Sequence, residues 1–345
     1  MTTPPPRTLA LPYPWQQPHW QRLLQWQAQG KLPHALMLSG QGGIGKTHFA
    51  RAAAQYLLCS APRSGLACGS CRACELNLAG SHPDLLWVQP QEAGKAVKVD
   101  QIRELADFVA KTAQQGGMKL AVIAPAEAMN VNAANALLKS LEEPAGDTLL
   151  ILVSHSAGRV MATLRSRCQL LALPTPSPEQ ALPWLSQLVS GEDPRALLQY
   201  AGGAPLAALE LLEGDLLERR AEFLAGLVGV AQGQVSALEA AAASMKAEPL
   251  KLLDWLLGWL QLGARQLAGI AAQGEAEGEQ LQALFSRVQP GHLYRYLDKV
   301  ILAKGQLLSG ANPNKQLLLE ELFMDWSALL RSRAAARQSQ RNGLT

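Results

Sequence analysis

Residues 40–47 read Gly-Gln-Gly-Gly-Ile-Gly-Lys-Thr. Gly40 and Gly45 frame four residues and are followed by Lys46-Thr47, the spacing of a phosphate-binding loop. The glycines Gly40, Gly42, Gly43 and Gly45 let backbone N–H groups turn toward phosphate, Lys46 reaches the outer phosphates and Thr47 ligates magnesium. Hydrolysis needs more: an Asp at the end of a neighbouring strand to hold magnesium, and a carboxylate to orient water. The strand signal "KLAVIA" (119–124) ends instead in Ala124-Pro125-Ala126-Glu127. Proline cannot replace a catalytic carboxylate, and Glu127, three residues past the expected Asp, reads as a solvated charge at a helix start. These residues predict a site that holds ATP or ADP without turning it over.

A second cluster is Cys59-x8-Cys68-x2-Cys71-x2-Cys74. Four thiolates this close together can close a tetrahedral, structural zinc site. Iron–sulfur runs of the Cys-x2-Cys-x2-Cys type place their next cysteine downstream. Here it lies upstream, so zinc is favoured. Gly69, Ser70 and Arg72 make the intervening turn an exposed one. The chain has five cysteines, and their clustering suits a metal better than disulfides in a reducing cytosol.

Two stretches carry further charge. "NALLKSLEEP" (135–144) is an amphipathic helix with Leu137, Leu138 and Leu141 inward and Glu142-Glu143 at its end. "TLRSRCQ" (163–169) puts Arg165 and Arg167 at the start of what reads as the last strand of the sheet. A guanidinium there is either a surface charge or a group able to reach a phosphate on a neighbouring molecule. Cys168 reads as core.

The elements that position these groups alternate. Short apolar strands are expected at 35–40, 85–90, 119–124 and 149–154. A helix follows the glycine loop, and another is marked by Ile102, Leu105, Ala106 and Val109 at i, i+3, i+4 and i+7, with Asp100 as N-cap. Such alternation implies an α/β domain over 1–172, a mostly parallel sheet with helices on both faces. A Pro-rich break at 173–180 opens a small helical unit (173–213). From 214 to 335 the pattern is helical, and 336–345 is a basic tail expected to fray.

At 345 residues, with 48% apolar and 17% charged residues, the chain is long enough for two or three globular domains. A net charge of +3 is too small to argue nucleic-acid binding by itself. No signal-peptide pattern opens the sequence, and "LLDWLLGWLQLG" is interrupted by Asp254 and too short for a bilayer. The expectation is a cytoplasmic protein without a membrane partner.

Together and in order, "GQGGIGKT", the cysteine cluster, "SHPDLLWV", "NALLKSLEEP" and "SRC" resemble the clamp-loader branch of the AAA+ family. The resemblance spans nearly the whole chain and implies an AAA+ domain (1–172) with a zinc-binding excursion (59–74), a helical lid (173–213) and a helical collar (214–335). It implies a hetero-pentameric clamp loader of bacterial DNA polymerase III, with gamma or tau motor subunits and a delta subunit as neighbours. That assembly loads the sliding clamp onto primed DNA. Motor subunits keep an acidic pair where this chain has Ala124 and Pro125, and a lid arginine where it has Leu206. Both departures imply the non-hydrolysing member of the ring, within a DNA-directed DNA polymerase holoenzyme but without catalysis of its own. The resemblance further implies that Arg167 acts in trans as an arginine finger on a neighbour's ATP, with Arg165 the rival candidate. One alternative is a motor subunit using Glu127 and Glu142 as an unusual acidic constellation. Another is a zinc-bearing nucleic-acid-binding ATPase unrelated to replication. It would need a basic groove with interleaved aromatics, whereas aromatics are 5% of the chain and Trp255 and Trp259 fall at core-like helical positions.

Overall fold

The computed structural model describes residues 8–92, 94–115, 117–142, 146–270, 278–286, 288–308 and 313–342, with side chains excepted at 278–280 and 331–342. Glu143, Pro144 and residues 343–345 of the tail therefore lie outside the described residues. The chain divides into two compact units, one of residues 1–188 with 203–207 and one of 189–202 with 208–345.

The first unit is built on a five-stranded sheet of β1 (Ala35–Ser39), β2 (Leu85–Val88), β3 (Lys119–Ile123), β4 (Thr148–Ser154) and β5 (Gln169–Ala172), in the order β2-β3-β4-β1-β5. Every pairing is parallel. Parallel strands need helical crossovers, which cover both faces. In keeping with this, β1, β3 and β4 are buried at every residue. The two-residue alternation of a strand splits their side chains between two clusters. Leu36 and Leu38 face Phe49, Ala50 and Ala53 of α2 (Lys46–Leu58), and Trp20 and Leu23 of α1 (Gln17–Ala28) join that cluster. Ala35 and Met37 face the other way, with Ile102 and Leu105 of α4 (Val99–Val109) and Leu137 and Leu141 of α5 (Val131–Glu142).

Two local expectations are corrected. The N-cap of α4 is Lys98, not Asp100, which lies in the first turn. Val97 bridges Met129, and its N–H donates to the Ala128 carbonyl at 2.8 Å. That pairing keeps the chain extended up to Lys98, whose N–H donates to Gln101 Oε1 at 3.0 Å. Neither Arg165 nor Arg167 begins a strand. Arg165 ends the short helix α6 (Ala162–Arg165), and Arg167 occupies the turn before β5. Successive bonds to the carbonyls of Met161, Ala162, Leu164 and Arg165 continue that turn to Cys168.

Register aligns the carboxyl ends of the strands. Ser39 lies opposite Ser154 and Ala172, and Ile123 opposite Leu152. The segments that leave β1, β3 and β4 therefore emerge on one edge, where ligands of open α/β sheets bind. The short α3 (Arg72–Leu78) lies in the crossover from β1 to β2, and α7 (Pro178–Leu185) follows β5.

In the second unit the described secondary-structure elements are all helical. It contains α8 (Pro194–Tyr200), the last three residues of α9 (Pro205–Glu210), α10 (Leu216–Gln232), α11 (Ala237–Ala243), α12 (Pro249–Leu267), α13 (Gly278–Phe285), α14 (Pro290–Leu308) and α15 (Lys315–Asn342). The backbone of α15 thus stays helical through 336–342, where a loose tail was expected. Aromatic residues tie the helices together. Phe223 meets Phe323 edge-on at 5.6 Å and Trp259 at 5.8 Å. The Trp326 indole donates to the Leu227 carbonyl at 2.8 Å, and the Tyr296 hydroxyl to that of Leu322 at 2.9 Å. Such polar tips must find partners when their rings are buried.

Candidate functional site

The glycine loop follows β1 and opens α2. Gly43 (φ 75°) and Gly45 (φ 87°) both need the left-handed region, which residues with a side chain rarely adopt. Both positions are also crowded. A Cβ on Gly43 would stand 2.6 Å from that of Ala207, and one on Gly45 2.6 Å from the Tyr13 ring. The loop is fastened from outside. Trp15 Nε1 donates to the Ile44 carbonyl, and Gln16 Nε2 to the carbonyls of Ile44 and Gly45, each at 3.0 Å. A planar peptide whose carbonyl is held on one side presents its N–H to the other. These bonds therefore aim the Gly45 and Lys46 amides away from the Trp15–Gln16 segment, as a phosphate cradle requires. On the far side the Leu206 N–H donates to the Gly43 carbonyl at 2.9 Å, and Thr175 Oγ1 donates to Gln41 Oε1 at 2.9 Å. Tyr13 stacks on Trp15 at 4.8 Å, Trp184 meets both rings edge-on at 5.2 Å, and His48 lies 4.5 Å from Tyr13. Thr47 is exposed.

Lys46 is 2% exposed, and its ammonium donates to the Gln41 carbonyl. Burial pushes it down to about 8, opposed by the charge of Glu127. Glu127 is therefore not the solvated charge expected. It lies in a 3-10 turn, Ala126–Ala128, just past β3. Oε1 accepts the His155 N–H at 2.8 Å, and Oε2 is buried without a hydrogen-bond partner among the described residues. The physical reason is register: the ends of β3 and β4 are adjacent, so the turn after one meets the turn after the other. Burial holds the His155 imidazole below its usual value, with the Lys46 charge adding to the effect and Glu127 opposing it. The arrangement is a buried ammonium at a phosphate loop with one carboxylate nearby. The residues that leave β3, Ala124 and Pro125, offer no carboxylate.

The four cysteines converge. Their Sγ atoms all lie within 4.8 Å of one another, Cys59–Cys71 at 3.8 Å and Cys68–Cys74 at 4.0 Å. Four sulfurs bound tetrahedrally at the usual Zn–S length stand about 3.8 Å apart, so this group can hold a metal ion of that kind. The Cys68 N–H points at Cys59 Sγ, 3.3 Å away. Burial raises the Cys71 thiol, but bonds from the Ser60 hydroxyl and from the Cys74 and Ser60 backbone outweigh it and bring the group down to about 5. Burial pushes Cys74 up to about 12. The Ser70 backbone lowers Cys68 as well, and burial raises Cys59; two readily ionised thiols beside two reluctant ones suit a site whose remaining protons leave when a cation enters. Cys71 caps α3, Cys74 lies on it, and Gly69, Ser70 and Arg72 are exposed, as expected of this turn.

Arg165 is exposed and Arg167 half-buried, and their partners differ. Arg165 Nη1 donates to the Ala157 carbonyl at 3.1 Å, which ties it into the preceding turn. Arg167 Nη1 donates to the Thr163 carbonyl at 2.9 Å, and Nη2 pairs with Glu142 Oε1 at 2.5 Å. Glu142 is thus joined to the arginine turn and not to the phosphate loop. Cys168 is partly buried against the core, and burial pushes its thiol up to about 11.

A phosphate loop at the end of β1, an interior strand of a five-stranded parallel sheet, with a four-cysteine module in the next crossover and a helical second unit, resembles the proteins of the AAA+ class. A family model described as "DNA polymerase III, delta subunit" matches residues 15–177, and one described as "DNA polymerase III, delta subunit, C terminal" matches 214–328. The chain is 40% identical to "DNA polymerase III subunit delta'" of Pseudomonas aeruginosa, over 92% of its length and 98% of the relative's. It is 34% identical to the protein of that name from Escherichia coli (strain K12), over 90% of its length and 94% of that protein's. Among solved structures, a gamma subunit-related protein of Thermotoga maritima aligns at 16% identity and a TM-score of 0.41, covering 90% of this chain and 99% of that one. The chain belongs to the delta' family of DNA polymerase III subunits. No described helix is long and apolar enough to cross a membrane.

Tyr13, Trp15, Gln16 and Trp184 are residues around the loop that sequence reasoning missed. Their signal was faint: an aromatic pair in "YPWQ" next to no recognised motif. Gln16 is 1% exposed, and its amide is a bond donor to the Gly45 carbonyl. Gln16→Leu should remove both of its bonds to the loop and the acceptor of the Tyr13 N–H, while the Gly45 carbonyl keeps the Phe49 N–H, at a cost of about 1–3 kcal/mol, read as a lower urea midpoint. Faster amide hydrogen exchange at 44–47 should accompany it.

Proposed function

We propose that the chain is a non-hydrolysing subunit of the clamp loader of a DNA polymerase III holoenzyme, acting in the cytoplasm to help place the sliding clamp on primed DNA. Membership of the delta' family supports the assembly. The observation that carries the non-hydrolysing reading is the end of β3, where Ala124 and Pro125 follow Ile123 and neither offers a carboxylate. The neighbours in this reading are gamma or tau motor subunits and a delta subunit in a hetero-pentamer. The chain contributes Arg167 in trans to the ATP of one of them, and its helical segment 214–335 to a shared collar. The lid of this reading is 173–213. Its Leu206, where a motor subunit carries an arginine, donates its N–H to the Gly43 carbonyl.

Within its own cradle, the amides of Gly40, Gly42, Gly43 and Gly45, the Lys46 ammonium and the Thr47 hydroxyl would hold the phosphates of ATP or ADP. Nucleotide bound there is not consumed. The rival reading, an ATP-hydrolysing motor, rests on Glu127, whose charge acts on Lys46. Its second acid, Glu142, is paired with Arg167, which separates the two groups that such a reading needs together.

ADP should bind the isolated chain near neutral pH and fail to bind Lys46→Ala, with no ATP turnover by either. The sign of the pH dependence follows from Lys46. The free ammonium titrates at about 8, and bound phosphates raise that value, so binding above it takes up a proton. Affinity should therefore be full below about pH 8 and weaken as pH rises through it. Calorimetry in buffers of different ionisation heat measures both effects. Steady hydrolysis by the isolated chain, abolished by Lys46→Ala, would establish the motor reading instead.

The cysteine module is assigned one structural zinc, because all four ligands are protein and no position is left for water. Elemental analysis of protein purified without chelator should find about one zinc per chain, and Cys71→Ser should lose it while the sheet persists. Stoichiometric iron, or no metal, would remove the assignment.

Arg167→Ala, placed in this chain alone, should leave the loader assembled. It should lower ATP turnover at the adjoining site by on the order of 10³ or more, and clamp loading with it. Loading at the wild-type rate would make Arg167 an ordinary surface charge.

A further inference from the structure

The Arg167 guanidinium is held at two points. Nη1 donates to the Thr163 carbonyl at 2.9 Å, and Nη2 meets Glu142 Oε1 at 2.5 Å. Two anchors in different directions fix the plane of the group as well as its position. They use two of its five N–H donors, which leaves three to face a further anion. The anchors are themselves fixed. Thr163 lies on α6, and its carbonyl also accepts the Ser166 hydroxyl at 3.1 Å. Glu142 is the last residue of α5, a helix pinned to the core by Leu137 and Leu141, and α5 packs against α6.

Stability does not explain the pair. Its side chains are 36% and 51% exposed, and exposed ion pairs add little to folding. A carboxylate at a helix C-terminus is also disfavoured by the helix dipole. What the pair does accomplish is to order a long, rotamer-rich cation on an exposed surface. We propose that Glu142 is a positioning residue for Arg167, holding its guanidinium ready for the phosphate of a nucleotide bound to a neighbouring subunit. This inference rests on the trans-acting reading of Arg167. Glu142 touches no phosphate, and it acts by removing rotamer freedom that Arg167 would otherwise lose in the transition state.

The test uses the assembled loader, with substitutions in this chain only. Glu142→Gln should lower clamp- and DNA-stimulated kcat by roughly three- to tenfold, the share of arginine rotamer freedom that one charged anchor removes, and leave KM for ATP unchanged. Arg167→Ala should lose more. The double variant should match Arg167→Ala alone, because a positioning residue has nothing left to act through. Thermal melts of the single variants should coincide with that of the parent chain. If Arg167→Ala is impaired and Glu142→Gln turns over at the wild-type rate, Glu142 plays no such part. Losses that multiply in the double variant, or a faster Glu142→Gln loader, overturn it too. If Arg167→Ala itself is silent, the trans-acting reading falls and takes this inference with it.

Discussion

The five residues of β1, Ala35–Ser39, are paired along one edge with β4 and along the other with β5, and their side chains are buried on both faces. A strand so placed cannot shift by one residue without turning Leu36 and Leu38 from one cluster into the other. That rigidity passes to the glycine loop, which leaves the end of β1, and to α2, which returns over the sheet through Phe49, Ala50 and Ala53. The loop is therefore stretched between two immobile elements, and its conformation is set before any ligand arrives. Preorganisation of this kind spares a binding site the cost of ordering itself.

The same geometry governs charge. Lys46 opens α2 and is carried into the packed edge of the domain, where burial weakens its hold on a proton. Parallel pairing of β3 with β4 brings Glu127 and His155 to the same edge. The result is a phosphate loop with a buried cation and one inward carboxylate, beside a strand end, Ala124-Pro125, that offers no acid. Glu127 compensates part of the Lys46 charge through space, and one of its oxygens is committed to the His155 amide.

Around this frame stand two other features. The cysteine module depends on the end of α2, where Cys59 is the C-cap, on a tight turn and on the first residues of α3. The arginine turn depends on the end of α5 meeting α6, and there a surface ion pair orders a cation that would otherwise be free. The helical unit is separately cored by Phe223, Trp259, Phe323 and Trp326.

Much of this was legible in the residues. Strand positions, the glycine loop, the cysteine group and the helical elements among the described residues of 214–335 arise from signals within a short window: period-two and period-3.6 patterning, glycines at fixed spacing, thiols close in sequence. That Ala124 and Pro125 carry no acid could likewise be read directly; that acids are expected at those positions came from the family resemblance. What could not be read is whatever depends on two distant segments meeting. Gln16 and Trp15 fasten a loop almost thirty positions away. Glu127 turns inward because β3 lies beside β4, and Arg167 finds Glu142 because α5 packs against α6. A hydrogen bond or ion pair requires atoms within a few ångströms, and sequence separation carries no information about that distance. Chemistry within a turn or a strand was determined by the sequence itself. Pairing across the sheet and between helices was decided only when the core closed.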